Sequence, residues 1–320
     1  MRSSVITVCA LLVVQSHAHA QSVEQNVSKA VLVTGAGSGI GRKITERLAA
    51  DGYFVYATAR KEEELKALGA IKNVQAVHLD VTQPADVTAA SETVTKAGRG
   101  LYGVVNNAGT ATIGSIADMT PAEFDIVMKV NAYGPVMVSK AFEPLVVAAK
   151  GRIVNIGSVS GILASPNIPA YVMSKHAIEG FTDSLAAQLA PVGVQVSVVE
   201  PGAFRSSMDQ KIRARMSEYG EAYVLMAYGS KVEPADLYPE SDEVAVAVEQ
   251  ALFGANPKRR YMVIPRHAQD PLNTHLAERT IRKQIEQLVQ LNEGQPYTFD
   301  RATLIKMLDE ALATARPRTN

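Results

Sequence analysis

Ala30-Val31-Leu32-Val33-Thr34-Gly35-Ala36-Gly37-Ser38-Gly39-Ile40-Gly41 passes from an uncharged apolar run into a glycine-rich turn, then into an amphipathic stretch that continues to Asp51. Ala30 to Thr34 has the length and composition of a buried strand. Gly41 to Asp51 spaces its apolar residues as a helix does. Between them, the glycines allow the positive φ of a tight turn and let a ligand approach the backbone closely. The helix that follows offers unpaired N–H groups and the positive end of its dipole to an anion. A glycine turn alone is equally a structural turn. Set between strand and helix, it predicts that Gly35, Ser38, Gly39, Ile40 and Gly41 bind the pyrophosphate of a dinucleotide.

Outward from this unit the same alternation repeats. Phe54–Thr58 reads as strand, Glu62–Leu68 as helix, Val74–Leu79 as strand and Gln83–Gly98 as helix. Leu101–Val105, Arg152–Gly157 and Val194–Val199 are further strands, separated by long helical patterns at Pro121–Lys150 and Ala170–Ala190. Tyr261–Pro265 is the last strand. Apolar strands alternating with helices predict an α/β fold, a doubly wound parallel sheet with right-handed crossovers and both faces covered. A single domain over 29–265 is expected, with a helical C-terminal extension over 266–320. In that extension Pro271–Asn292 is a charged amphipathic helix, and Gly294-Gln295-Pro296 breaks it. Asp300 then N-caps a helix with Leu304, Ile305 and Leu308 on one face.

Composition excludes several function classes. Of 320 residues, 47% are apolar and 20% charged, which is globular. Lys plus Arg is 32 and Asp plus Glu is 32, so the balance carries no electrostatic footprint for nucleic acid or an anionic membrane. The single Cys9 excludes a disulfide framework and a cysteine zinc site, and the six His contain no HExxH spacing, so no metal is expected. Met1-Arg2, the apolar run Val5–Val14 and Ala18-His19-Ala20 have the three parts of a secretory signal peptide over residues 1–20. That run is too short to cross a bilayer core of ~30 Å. No stable membrane span is expected, and the leader predicts export. The alternatives are a buried N-terminal helix or a start assigned too early, with a cytoplasmic protein.

The end of the second strand bears on the dinucleotide. An NAD-type site wants a carboxylate there for the ribose 2′-OH. Here Ala57-Thr58-Ala59-Arg60-Lys61 precedes the first acidic residue, Glu62. The forked donors of Arg60 suit a 2′-phosphate, which favours NADP(H); otherwise Arg60 caps a strand end in solvent. Asp80-Val81 ends the third strand, where the carboxylate suits an adenine amino group. Asn106-Asn107-Ala108-Gly109 ends the fourth, on the carboxyl edge where ligands of open α/β sheets sit, although an Asn pair before Gly is also a common turn.

Tyr171 and Lys175 lie four apart on one face of a helix. An ammonium beside a phenol favours phenolate and draws the tyrosine toward a working general acid/base. Ser158 follows the strand Arg152–Gly157, on the same carboxyl edge, with its hydroxyl placed for a substrate oxygen.

Thr34-Gly35-x-x-x-Gly39-Ile40-Gly41, Asn106-Asn107-Ala108-Gly109, Asn131, Ser158, Tyr171-x-x-x-Lys175 and Pro201-Gly202 stand in the order of the short-chain dehydrogenase/reductase family, which the chain resembles over about residues 29 to 265. The resemblance implies a Rossmann-type fold and hydride transfer between nicotinamide and a small-molecule carbonyl or secondary alcohol. It makes Tyr171 the proton donor or acceptor, and Ser158 the group that orients the substrate oxygen. Lys175 holds the nicotinamide ribose and lowers the tyrosine pKa, and Asn131 holds a relay water through its helix backbone. It places adenine near Asp80 and Val81 and nicotinamide beside Pro201-Gly202. Many members carry Thr four residues after that glycine; this chain has Ser206, which keeps the hydroxyl. Tyr53–Arg60 and Pro257–Pro265 are similar to the members acting on steroids, retinoids and other bulky carbonyls. The apolar-rich stretch Ser206–Glu233 stands where the family has its substrate lid, and it reads equally well as plain packing. The family also suggests a homodimer or homotetramer through the helix carrying Ala177, Ile178, Phe181, Leu185 and Leu189. The rival readings are a sugar-nucleotide epimerase or dehydratase, whose opening turn is usually G-x-x-G-x-x-G, and a non-catalytic dinucleotide sensor, which tends to lose the Ser–Tyr–Lys set.

Overall fold

β1 (Ala30–Val33) buries all four of its side chains, as a strand must when helices cover both faces of its sheet. The computed structural model describes residues 29–164, 167–206, 239–265, 271–293 and 298–314. After β1 come α1 (Gly39–Ala50), β2 (Phe54–Ala59), α2 (Glu62–Gly69), β3 (Val74–His78), α3 (Pro84–Lys96) and β4 (Gly103–Asn106). Next are α4 (Pro121–Met128), α5 (Gly134–Ala148), β5 (Arg152–Ile156), α6 (Pro169–Leu189) and β6 (Gln195–Pro201). α7 (Asp242–Phe253), β7 (Arg260–Val263), α8 (Pro271–Glu293) and α9 (Arg301–Thr314) complete the described chain.

The seven strands form one sheet in the order β3-β2-β1-β4-β5-β6-β7, and every pairing is parallel. Winding reverses between β1 and β4, and a crevice opens at that point beyond the carboxyl ends of the strands. Strand side chains alternate between two cores. Val31 and Val33 pack with Ile44 and Leu48 of α1 and Val244, Val248 and Leu252 of α7. Ala30 and Leu32 pack with Val87 and Val94 of α3, Phe142 of α5 and Leu185 of α6 on the other face.

The structure departs from the expected elements in several places. The single helix expected over Pro121–Lys150 is interrupted by a π turn at Lys129–Tyr133. Pro135 follows it and has no N–H for the carbonyl four residues back, that of Asn131. α7 was not foreseen at all; its Val-Ala alternation from Val244 to Val248 masks the helical period. β4 and β6 also run past their expected ends, to Asn106 and Pro201. On α6, Ile178, Leu185 and Leu189 are buried inside the subunit and Phe181 is half-buried, so little of the stripe expected to pair with a twin helix is free to do so. The leader over 1–20, the stretch 207–233 of the expected lid and Gly294-Gln295-Pro296 lie outside the described residues.

Candidate active site

The glycine turn is held by the end of β4. Thr34 Oγ1 accepts from the backbone N–H groups of Asn107 and Ala108, each at 3.0 Å. Asn107 Nδ2 donates to the carbonyls of Thr34, at 2.9 Å, and Gly35, at 3.1 Å. Gly35 sits at φ +64°, and a Cβ there would lie 2.9 Å from Ala108 Cα. A Cβ on Gly41 would collide with Asn107 Nδ2 and the Gly35 carbonyl. Both glycines are therefore required by contact, and the first turn of α1 faces the cleft with N–H groups that no intrahelical carbonyl can use. This cradle fits a nicotinamide dinucleotide: a cleft of about 590 Å³ runs from Gly35–Gly41 past Arg60 and Asp80 to Ser158 and Tyr171.

At one end of the cleft Arg60 is mostly exposed, and its Nη1 stands 3.5 Å from Asp80 Oδ2. Asp80 Oδ1 accepts from the Thr82 N–H at 2.9 Å and the Thr82 hydroxyl at 2.7 Å. Burial raises the Asp80 pKa, but the Thr82 bonds and the Arg60 charge outweigh it and hold the carboxyl below its ordinary value. The carboxylate expected to meet an adenine amino group is thus partly committed to Thr82 and also orients Arg60. Lys61 is drawn to Glu63 at 3.8 Å. Glu64 was missed by sequence reasoning: it lines the cleft, and its Oε2 would lie 2.5 Å from a Cβ on Gly37. Its place in the first turn of the helix after Arg60 was the available signal.

At the other end Ser158 follows β5 and caps a short 3₁₀ turn, its Oγ accepting from Ser160 N–H at 3.1 Å. Ser158 and Tyr171 line the same end of the cleft. Lys175 Nζ donates to the Ile156 carbonyl at 2.8 Å and lies 5.5 Å from the centre of the Tyr171 ring. Burial pushes the Lys175 pKa down to about 8, against the pull of Glu179. Burial raises the Tyr171 pKa, with the Ser158 hydroxyl opposing it. The expected lowering of the tyrosine by Lys175 does not appear; the buried ring is shifted the other way.

Asn131 stands behind the cleft. Its Oδ1 accepts from Thr110 N–H at 2.8 Å, and its Nδ2 donates to the Thr110 carbonyl at 2.8 Å and to Ser174 Oγ at 3.0 Å. The side chain ties the loop after β4 to α6, while Pro135 leaves the backbone carbonyl without its α-helical donor. A second buried network was not foreseen. Asn106 Nδ2 donates to Asn155 Oδ1 at 2.8 Å and Ser139 Oγ at 3.0 Å, and Asn155 Nδ2 donates to Thr182 Oγ1 at 2.9 Å. It joins β4, β5, α5 and α6 beneath the site; only the partners' positions in space disclose it.

The remaining expected residues also lie on the cleft. Ser38, Gly39 and Ile40 flank the glycine turn, Val81 follows Asp80, and Gly109 follows Ala108 on the same wall. Pro201 ends β6, the Gly202 N–H bonds the Val263 carbonyl at 2.8 Å, and Ser206 lies four residues on. Ile126, Val130 and Phe204 add apolar lining to the cleft, which no spacing announced.

Comparison with known proteins agrees with this geometry. The sequence profile of the short chain dehydrogenases matches residues 29–217. The chain is 34% identical over 271 residues to the mitochondrial D-beta-hydroxybutyrate dehydrogenase of Bos taurus, covering 76% of this chain and 79% of that one. It is 36% identical over 253 residues to retinol dehydrogenase 5 of Mus musculus, covering 72% and 79%. The alcohol dehydrogenase of the archaeon Thermococcus sibiricus, solved in complex with 5-hydroxy-NADP, superposes with a TM-score of 0.62 at 25% identity, over 73% of this chain and 95% of that one.

Proposed function

The chain belongs to the short-chain dehydrogenase family, and from that membership we propose that it is an NADP(H)-dependent oxidoreductase of lipophilic carbonyls and secondary alcohols in which Tyr171 is the general acid/base. One observation carries the proposal: Ser158, Tyr171 and Lys175, with the ammonium beside the ring, line the same cleft that the glycine turn opens.

When bound, the nicotinamide ring supplies or accepts the hydride. The protein's part is proton transfer and placement. In reduction, Ser158 Oγ donates a hydrogen bond to the carbonyl oxygen while Tyr171 Oη gives up its proton to it. A neutral phenol is the form needed for that direction, and burial holds Tyr171 neutral. The Lys175 ammonium, with its pKa about 8, remains charged at neutral pH and stabilises the phenolate that results. Gly35, Gly39 and Gly41 would bring backbone to the pyrophosphate, and Pro201-Gly202 would help hold the nicotinamide. Arg60 supports the choice of NADP(H), because its forked donors suit a 2′-phosphate and no carboxylate stands at the end of β2. Glu64 opposes it. Ile126, Val130 and Phe204 support a lipophilic substrate, and the relatives' names include retinol.

The test is a screen of purified protein against lipophilic ketones and alcohols with each cofactor, alongside calorimetry of NADPH and NADH. Ketone reduction with tighter NADPH binding is expected. Equal affinities would overturn the cofactor assignment, and cofactor binding without turnover of any substrate would overturn the enzyme assignment. Self-association belongs to the same proposal, with Met173 of α6 and Val136 of α5 exposed as contact surface. A monomer by light scattering at micromolar concentration would contradict it.

A further inference from the structure

Tyr171, Lys175 and Glu179 recur every four residues on one face of α6. Glu179 therefore stands one turn behind the lysine, and it reaches two other parts of the site. Its Oε1 would lie 3.1 Å from a Cβ on Gly157 and 3.3 Å from one on Gly161, the glycines on either side of Ser158. Its Oε2 accepts from Arg260 Nε of β7 at 3.0 Å. Glu200, the residue before Pro201-Gly202, is 1% exposed, and its Oε1 stands 4.0 Å from the same Arg260 Nε that Glu179 holds. Two carboxyl groups crowded around one guanidinium in a buried space avoid repulsion when one of them holds a proton.

We propose that Glu179 and Glu200 are positioning residues that share one proton. The pair, clamped by Arg260, places a single buried negative charge behind Lys175 and joins the Ser158 turn, α6 and the end of β6 into one backing for the site. The proposal rests on the Tyr171–Lys175 chemistry proposed above. The charged groups around the pair are Lys175 and Asp183 from α6 and Arg260 from β7, with Arg259 beside Asp183. Asp183 accepts from Arg260 Nη2 at 2.7 Å, and Glu200 Oε1 stands 4.0 Å from Arg260 Nε. Oε1 of Glu179 and Oε1 of Glu200 are both buried without a hydrogen-bond donor, as expected of carboxyl groups that need a proton of their own. Burial first, and the neighbouring Glu179 second, push the Glu200 pKa up to about 8. Burial raises Glu179 as well, with Arg260 opposing. The proton thus resides on Glu200 and the charge on Glu179, which in turn raises the Lys175 pKa against burial.

The first test needs no substrate. Infrared spectra at neutral pH should show the C=O stretch of a buried protonated carboxyl group, and Glu200→Gln should remove it. Between about pH 4.5 and 8 the folded chain holds a proton that the unfolded chain has released, so thermal stability should fall as pH rises across that window. Glu200→Gln should flatten this fall. Absence of the band, or an unchanged slope in Glu200→Gln, overturns the shared proton even if the enzyme turns over. The second test reads the pH profile of turnover. Glu200→Gln keeps a hydrogen-bond donor and the Glu179 charge, so its alkaline limb stays within a few tenths of a unit of wild type. The double variant Glu179→Gln/Glu200→Gln has lost the charge, so Lys175 deprotonates earlier and its limb moves down by at least about half a pH unit. Glu200→Ala should lower kcat more than it raises KM, and Glu200→Gln should restore it. Coincident limbs in the single and double variants overturn the positioning role. Failure of the function proposed above shows instead as no turnover in wild type, with the infrared and stability results standing.

Discussion

The two ends of the sheet are finished with opposite chemistry. At the amino end, Tyr53 stacks on Phe253 with ring centres 3.8 Å apart, and Tyr102 stacks on Phe253 at 5.5 Å. Lys29 Nζ lies 4.7 Å from the Tyr102 ring centre. Large rings from α7 and the approaches to β2 and β4 close that end by area and cation–π attraction. At the carboxyl end the same strands run out into Thr34, Asn106, Asn107 and Ser158, short polar residues bonded to backbone and to one another. Glycines keep the surface there concave. In a parallel sheet every crossover returns to the amino edge, so the loops of the carboxyl edge are left to shape the crevice. Rings hold the fold at one end; hydrogen-bonded small residues hold an open cleft at the other.

Substitutions at the two ends should therefore separate function from stability. Tyr171→Phe at the carboxyl end keeps the ring and the residues of the dinucleotide cradle. It should lower turnover by the ~10²–10⁴-fold of general acid catalysis while leaving calorimetric NADPH binding in place. Retention of more than about a tenth of wild-type turnover, with chemistry rate-limiting, would mean that the proton comes from elsewhere. At the amino end, Phe253→Ala removes the half-buried centre of the stack. Urea denaturation should show a loss of about 2–3 kcal/mol, below the fully buried range, with kcat within about twofold of wild type. A large loss of kcat with stability intact would erase the distinction between the ends.

Arg60→Ala should weaken NADPH by ~1–3 kcal/mol and leave NADH nearly unchanged, read by calorimetry with both cofactors. An equal loss for the two would mean that Arg60 merely caps β2. The smallest effect is expected at Glu64. Its carboxylate against Gly37 should oppose a 2′-phosphate, so Glu64→Gln should tighten NADPH by less than about 1 kcal/mol. Weaker NADPH binding in Glu64→Gln would instead make Glu64 a support for the cofactor.

What could be read from the chain was what nearby residues settle among themselves. An apolar tetrapeptide, a glycine turn and a helix start are local φ/ψ preferences, so β1, the turn and α1 were legible at Ala30–Ala50. Tyr171 and Lys175 were legible because four residues is one helical turn, and Ser158 because it follows a recognisable strand. Other features belong to the tertiary structure. The π turn at Lys129–Tyr133 is a compromise between a proline and packing on α6, and α7 takes its conformation from burial on α1, β5 and β6 rather than from its Val-Ala sequence. Glu64 reaches Gly37 only because β1 and β2 pair in their register. Glu179, Glu200 and Arg260 come from a helix and two strands, and no sequence interval relates them. Their contact exists because β5, β6 and β7 lie side by side under α6, which is a property of strand order: pairing across the sheet, not spacing along the chain, decides which charges must share a buried space.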